Sequence, residues 1–143
     1  MPAMLWMALI FVGSTDVLSA EHTSRFLVPF LQWLDPQISV VALAKIQLAV
    51  RKLGHLAEYA ILAMLIWRAF RGGTAWTARL SILFVAGLGA CALFAASDEF
   101  HQSFVASRTS SVHDVMIDIC GALVGLTICV AFAQRKVVKE KRV

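Results

Sequence analysis

Three long, mainly apolar runs most strongly limit what this chain can fold into. They cover residues 53–70, 80–97 and 115–133. Each is close to the roughly 20 residues that an α-helix needs to cross about 30 Å of hydrocarbon. A fourth segment, residues 3–20, is less uniform because Gly-Ser-Thr-Asp interrupts it at residues 13–16. We therefore predict an all-α membrane protein, a bundle of four transmembrane helices.

The composition points the same way. Hydrophobic residues make up 59% of the chain and charged residues only 15%, whereas a soluble domain has roughly 45–50% apolar residues. The start of the chain, Met-Pro-Ala, lacks the positive charge of a secretory signal peptide. We therefore expect residues 3–20 to stay in the mature protein, and residues 1–143 to form a single membrane domain with no nucleic-acid partner and no cofactor.

The distribution of Lys and Arg predicts the orientation, because the loops richest in these residues stay in the cytoplasm. The hairpin between the second and third spans and the tail, residues 134–143, hold eight of the 13: Arg68, Arg71, Arg79, Arg135, Lys136, Lys139, Lys141 and Arg142. This predicts a multi-pass plasma-membrane protein with both termini inside. Every acidic residue except Glu140, and all four histidines, then lie toward the outer side.

The first outer loop, residues 21–52, is too long for a hairpin and too apolar for a solvated linker. Its apolar residues recur at helical spacing, at Phe26, Leu27, Phe30, Leu31 and Leu34. Such spacing is typical of a helix lying in the headgroup region, although Pro29 allows at most a kinked or broken one. A second amphipathic stretch, residues 40–50, leads into the second span.

The second span begins with a polar stripe. Arg51, His55 and Glu58 lie within about 60° of one another on a helix. A carboxylate such as Glu58, at the boundary of the bilayer, is costly and usually faces a partner or a wet cavity. Lys52 can serve as an anchor to lipid phosphates.

The third span ends with a similar stripe. Asp98 and Gln102 share one side if the helix continues, and Glu99 points about 100° away. Asp98 and Gln102 continue the inner side of this span, so a simple polar helix end in water is a weaker interpretation for them than for Glu99.

The last span begins with two carboxylates, Asp114 and Asp118, above Gly121 and Gly125. The four positions share one stripe, and small residues at this spacing let another transmembrane helix approach closely. Like charges four residues apart repel, so either one carboxylate is protonated or a cation lies between them. The available cations are Arg51 and Arg108. Ser110 or Ser111 can cap the start of this helix.

These residues together resemble the VanZ-like membrane proteins, named for the teicoplanin-resistance protein. The resemblance covers about residues 51–125 and rests on three ordered motifs: Arg51, Lys52, His55, Glu58 and Tyr59; then Asp98, Glu99, Gln102, Phe104 and Arg108; then Asp114 and Gly121. The family pattern usually has Asn at the position of Asp118. The resemblance implies a bacterial-type envelope protein associated with low-level resistance to lipid-anchored glycopeptides.

The stripes and the resemblance together predict a polar site on the outer side that binds or modifies an anionic lipid-linked or cell-wall component. The catalytic candidates are His55, Glu58, Asp98, Gln102 and Asp118; the ligand-binding candidates are Arg51, Lys52, Tyr59, Glu99, Arg108 and Asp114. In a catalytic version, His55 or Glu58 is the general base, Asp98 or Asp118 orients it, and Arg108 holds the anion. Binding alone would use the same residues.

Three other hypotheses stay open at this point. His55 and Glu58 beside Asp98, His101 and Asp118 could bind a metal ion. Ser107-Arg108 followed by His113 and Asp118 is similar to a lipid-phosphate phosphatase signature, with the spacing off by one residue on each side. The charges could also be structural, in a membrane scaffold or a small transporter.

Overall fold

A computed structural model describes residues 2–14, 20–72, 79–104 and 111–140 of the chain. This part of the chain forms helices and no strands, which confirms the all-α prediction. The helices are α1 (Pro2–Gly13), α2 (Ala20–Leu34), α3 (Val40–Gly72), α4 (Leu80–Gln102) and α5 (Val112–Glu140).

Three of the described helices are long and apolar enough to cross a membrane: α3, α4 and α5, the last over Val112–Arg135. Each contains one of the three long apolar runs. Helix α1 has 12 residues, about 18 Å of rise, which is less than the hydrocarbon thickness. The predicted first span continues over residues 15–19, which lie outside the described part, so a fourth span stays a prediction.

Helix α3 extends beyond the predicted second span. It has 33 residues, about 50 Å of rise, and it takes in residues 40–52, which the sequence analysis assigned to the outer loop. The predicted amphipathic stretch, residues 40–50, and the second span form one continuous helix because Ala, Leu, Lys and Gln dominate residues 40–52 and favour helix. The Ser39 hydroxyl accepts a hydrogen bond from the Ala42 backbone N–H at 3.2 Å and caps the helix start.

Helix α2 folds back on α3 as a helical hairpin. Pro29 lies inside α2, and Gln47 of α3 donates a hydrogen bond to the Ser24 hydroxyl at 2.9 Å. Large apolar side chains of α2 stay exposed, with Phe26 at 79% and Trp33 at 77%. The predicted helical segment in the first loop therefore exists as a helix.

The core lies between α3, α4 and α5, and α3 makes its most extensive contact with α5. Its buried apolar residues are Ile10, Tyr59, Leu62, Ala63, Ile66, Trp67, Leu83, Cys91, Ala95, Ala122, Leu126 and Ala133. Large apolar side chains also cover the outer surface of the three long helices, as at Val85, Leu93 and Phe132. An apolar exterior on helices of this length is the pattern expected of helices surrounded by lipid.

Candidate functional site

Two polar pairs join α3 to α5. Arg51 Nη2 lies 3.2 Å from Asp114 Oδ2, and His55 Nδ1 lies 3.1 Å from Asp118 Oδ1. The two partners are 63 residues apart in both pairs, so α3 and α5 run in the same direction with their stripes facing. The predicted pairing of Asp114 with Arg51 or Arg108 is confirmed. Asp118 has its own partner, His55, rather than a share of that cation.

Two glycines of α5 allow the close approach that these pairs need. A Cβ at Gly121 would lie 2.3 Å from the carbonyl oxygen of Leu56, and a Cβ at Gly125 would lie 2.3 Å from that of Ala60. Any larger residue would therefore meet the backbone of α3. The predicted small-residue stripe is confirmed, and the second span is its neighbour, as the matching polar stripes indicated.

The end of α4 forms a third group with the end of α1. Ser14 donates a hydrogen bond to Asp98 Oδ2 at 2.7 Å, and the Gln102 amide donates to the same oxygen at 3.0 Å and to the Ser14 hydroxyl at 3.2 Å. All three side chains are at most 5% exposed. Asp98 and Gln102 therefore share a side, as predicted, and that side faces inward.

Glu99 points instead toward α5. One of its carboxylate oxygens accepts a hydrogen bond from the backbone N–H of Ser111. Glu99 is also close enough to His55, Asp114 and Asp118 to interact with them electrostatically. Ser111 precedes the first residue of α5, and its hydroxyl accepts from the His113 N–H at 3.2 Å, which confirms the predicted cap.

Tyr59 of α3 packs against α4, with its ring centroid 6.2 Å from that of Phe94. Its side chain is fully buried, and it interacts electrostatically with Asp118 and Asp98. Glu58, which is partly buried, interacts with His55 and Tyr59. Trp6 of α1 donates a hydrogen bond to the Glu58 backbone carbonyl at 3.0 Å.

We call these side chains together the polar cluster: Ser14, Arg51, His55, Glu58, Tyr59, Asp98, Glu99, Gln102, Asp114 and Asp118. Five of them are acidic, and Arg51 and His55 are the only basic members among the described residues. Ionisable groups inside a membrane bundle are costly and usually functional. The excess of acids makes this cluster attractive to positive charge.

The other predicted site residues take different positions. Lys52 is exposed, which suits a contact with headgroups. Arg108 lies outside the described residues. His101 packs against Phe11 of α1, with ring centroids 4.2 Å apart, and His113 is exposed.

Ser14 is the cluster member that the sequence analysis missed. The only signal for it was the polar break at the end of the first apolar run, which was interpreted as a weakness of that span. Because α1 ends beside the last turn of α4, this break brings a hydroxyl to Asp98.

A metal centre gains no support from the geometry. Across the described ranges, no three His, Cys, Asp or Glu side chains lie close enough together to hold a metal ion. His55 and Asp118 form a pair, whereas His101 lies against Phe11.

Long apolar helices that bury a polar cluster at one end of their bundle define a helical membrane protein. A family model described as VanZ/LLP1 matches residues 1–133, so the chain belongs to the VanZ/LLP1 family, and the resemblance seen in the motifs is confirmed. No curated protein and no solved structure matches the chain.

Proposed function

We propose that this protein binds an anionic lipid-linked or cell-wall component at the basic edge of the polar cluster, beside Arg51, on the extracytoplasmic side of a bacterial-type cell membrane. By occupying or altering that component, it lowers sensitivity to lipid-anchored glycopeptides such as teicoplanin. Support comes from the family membership and from a polar cluster that the family motifs jointly build.

Arg51 carries this proposal. Its pair with Asp114 engages one end of the guanidinium, 27% of its side chain is exposed, and its Nε has no hydrogen-bond partner among the described residues. Arg51 and the exposed Lys52 therefore form a cationic rim. A phosphate or carboxylate suits this rim because guanidinium groups bind such anions through several hydrogen bonds.

The outer-side placement follows from the Lys and Arg distribution. The cluster draws on the C-terminal end of α4 and the N-terminal end of α5, so these ends lie on one side of the membrane. Arg68, Arg71 and Arg79 lie at the opposite ends of α3 and α4, and the short loop that contains them favours the cytoplasm. Both termini inside and a four-span topology are parts of this proposal.

Helix α2 fits the proposed position in the headgroup layer. Its exposed Phe26, Phe30 and Trp33 are the large apolar and aromatic side chains that anchor interfacial helices. The hairpin contact with α3 would hold this helix beside the rim.

A catalytic version is favoured by one specific observation, the His55–Asp118 pair. A carboxylate that accepts a hydrogen bond from an imidazole orients it as a general base. In this version His55 removes a proton from a water or hydroxyl group while the rim holds the anion. The phosphatase alternative has less support, because His113 is exposed whereas Asp118 is buried and bonds to His55.

The test is to express the protein in a teicoplanin-susceptible bacterium and measure the minimal inhibitory concentration. Glu58→Gln and Arg108→Ala are expected to abolish the protection at normal expression, whereas Lys52→Ala weakens it only slightly. Equal membrane levels of each variant serve as the control. Wild-type protection in both of the first two variants would contradict the site assignment.

Turnover is tested separately from binding. Purified protein is incubated with labelled polyprenyl phosphates and lipid-linked wall precursors, with and without a chelator. A converted product that His55→Ala abolishes supports the catalytic version. Retention of label without conversion supports binding alone. If the label is neither converted nor retained in any condition, a scaffold is favoured.

A further inference from the structure

Three side chains at the end of α4 share an unusual bonding pattern. Asp98 and Glu99 each use one carboxylate oxygen within the protein, and the Gln102 amide nitrogen is also engaged. Their remaining oxygens, Asp98 Oδ1, Glu99 Oε2 and Gln102 Oε1, are buried and have no hydrogen-bond partner among the described residues. Each of these three oxygens can only accept a hydrogen bond unless it is protonated.

Tyr59 provides an independent observation from a different helix. Its hydroxyl is fully buried and has no hydrogen-bond partner within the described part of the chain. Its ring centroid lies 6.2 Å from that of Phe94, so Tyr59 packs against α4 one turn before Asp98. Buried polar groups are rarely left without partners, because a buried donor or acceptor without a hydrogen bond destabilises the fold.

The charge of the cluster identifies which donors would suit these oxygens. Among the described residues Arg51 pairs with Asp114 and His55 pairs with Asp118, and no basic side chain forms an ion pair with Asp98 or Glu99. A neutral donor would satisfy the hydrogen bonds but leave the negative charge uncompensated. A primary ammonium group supplies three N–H donors and a positive charge together.

We infer that the end of α4 binds a primary ammonium group of the ligand, so that the ligand is an amphoteric lipid headgroup. The phosphate or carboxylate lies at Arg51, and the ammonium group lies at Asp98, Glu99 and Gln102. Ser14 is a positioning residue, because its hydrogen bond holds Asp98 Oδ2 and leaves Oδ1 for the ligand. This inference rests on the proposed function and adds the second half of the ligand to it.

The inference is tested with three lipids that have matched acyl chains. Their dissociation constants are measured by native mass spectrometry of the full chain in detergent. Phosphatidylethanolamine carries a phosphate and a primary ammonium group. Phosphatidylglycerol carries a phosphate and neutral hydroxyl donors. Phosphatidylcholine carries a phosphate and a quaternary ammonium group that cannot donate. The expected order of affinity is ethanolamine, then glycerol, then choline.

Two variants locate the effect. Asp98→Asn and Glu99→Gln are each expected to weaken ethanolamine-lipid binding about tenfold or more, the loss that follows from removing a charge-assisted hydrogen bond. Binding of the choline lipid stays unchanged in both, which also shows that the variants are folded. Asp35→Asn makes the same chemical change at an exposed carboxylate in the loop before α3 and is expected to alter none of the three affinities.

Equal affinity for the ethanolamine and choline lipids overturns the inference, because other donors then satisfy the buried oxygens. Tightest binding of the glycerol lipid overturns the ammonium assignment, and so does an unchanged preference in both variants. The proposed function is tested by Arg51→Gln, which should weaken the binding of all three lipids by a similar factor. If Arg51→Gln has no effect while the ethanolamine preference holds, the rim assignment fails and the ammonium site stands.

Discussion

Replacing Gly121 with alanine is expected to separate α3 from α5. The added Cβ would lie 2.3 Å from the Leu56 carbonyl oxygen and 3.0 Å from its Cα. Both atoms belong to the backbone of a helix, so no side chain can rotate to relieve the contact. Carbon and oxygen atoms rarely approach closer than about 3.3 Å, so the helices must move apart by about 1 Å.

Such a displacement would break the polar pair one turn away. The His55–Asp118 distance of 3.1 Å would exceed the usual limit of about 3.2 Å for a hydrogen bond. Overpacking costs about 1–3 kcal/mol, and a buried partner left without its hydrogen bond costs about 1–3 kcal/mol. The expected loss in the free energy of unfolding is therefore about 2–6 kcal/mol.

Equilibrium unfolding by sodium dodecyl sulfate in mixed micelles measures this loss. Gly89→Ala is the matched control, since a Cβ there meets no atom within 4 Å and alanine favours the helix by up to about 1 kcal/mol. A double-mutant cycle with His55→Ala should show a coupling of about 0.5 kcal/mol or more. Gly121→Ala with the stability of Gly89→Ala would refute the close approach of α3 and α5.

Two further predictions concern the charge pairs and the topology. Asp114→Asn should lower the free energy of unfolding by about 1–3 kcal/mol, because it leaves Arg51 without its carboxylate. Asp118→Asn should cost less than this, since an amide can still bond to His55; equal losses in mixed micelles would contradict this expectation. In a variant without native cysteines, a cysteine at Gly73 should be protected from an impermeant thiol reagent on intact cells, and one at Thr109 should be labelled. The reverse pattern would place the polar cluster on the cytoplasmic side.

The sequence was sufficient to predict which residues share one face of a helix. The angle between residues is set by helix geometry, so Asp98 and Gln102 were expected on one side and Glu99 on another, and their hydrogen bonds agree. The same arithmetic predicted the carboxylates of α5 above their glycines. These predictions succeeded because they need no knowledge of how helices are arranged in space.

Contacts between helices could be predicted only in part. The stripes indicated that Asp114 would pair with an arginine, but the choice of His55 as the partner of Asp118 depends on the register of α3 against α5. Ser14 was missed because its role requires the end of α1 to lie beside α4. Helix α3 begins before the predicted span because the amphipathic stretch and the span join without a break in helix propensity.

Because α3 and α5 are parallel, the contacts between them repeat every four residues along each helix. Asp114 and Asp118, and then Gly121 and Gly125, recur at the same interval as the positions of α3 that they face. Sliding α5 by four residues, about 6 Å, would bring Asp118 to Arg51 while leaving His55 without a carboxylate. One ion pair and one glycine contact would survive this slip. The native alignment is therefore favoured over the shifted one because only the native alignment forms both polar pairs and both glycine contacts.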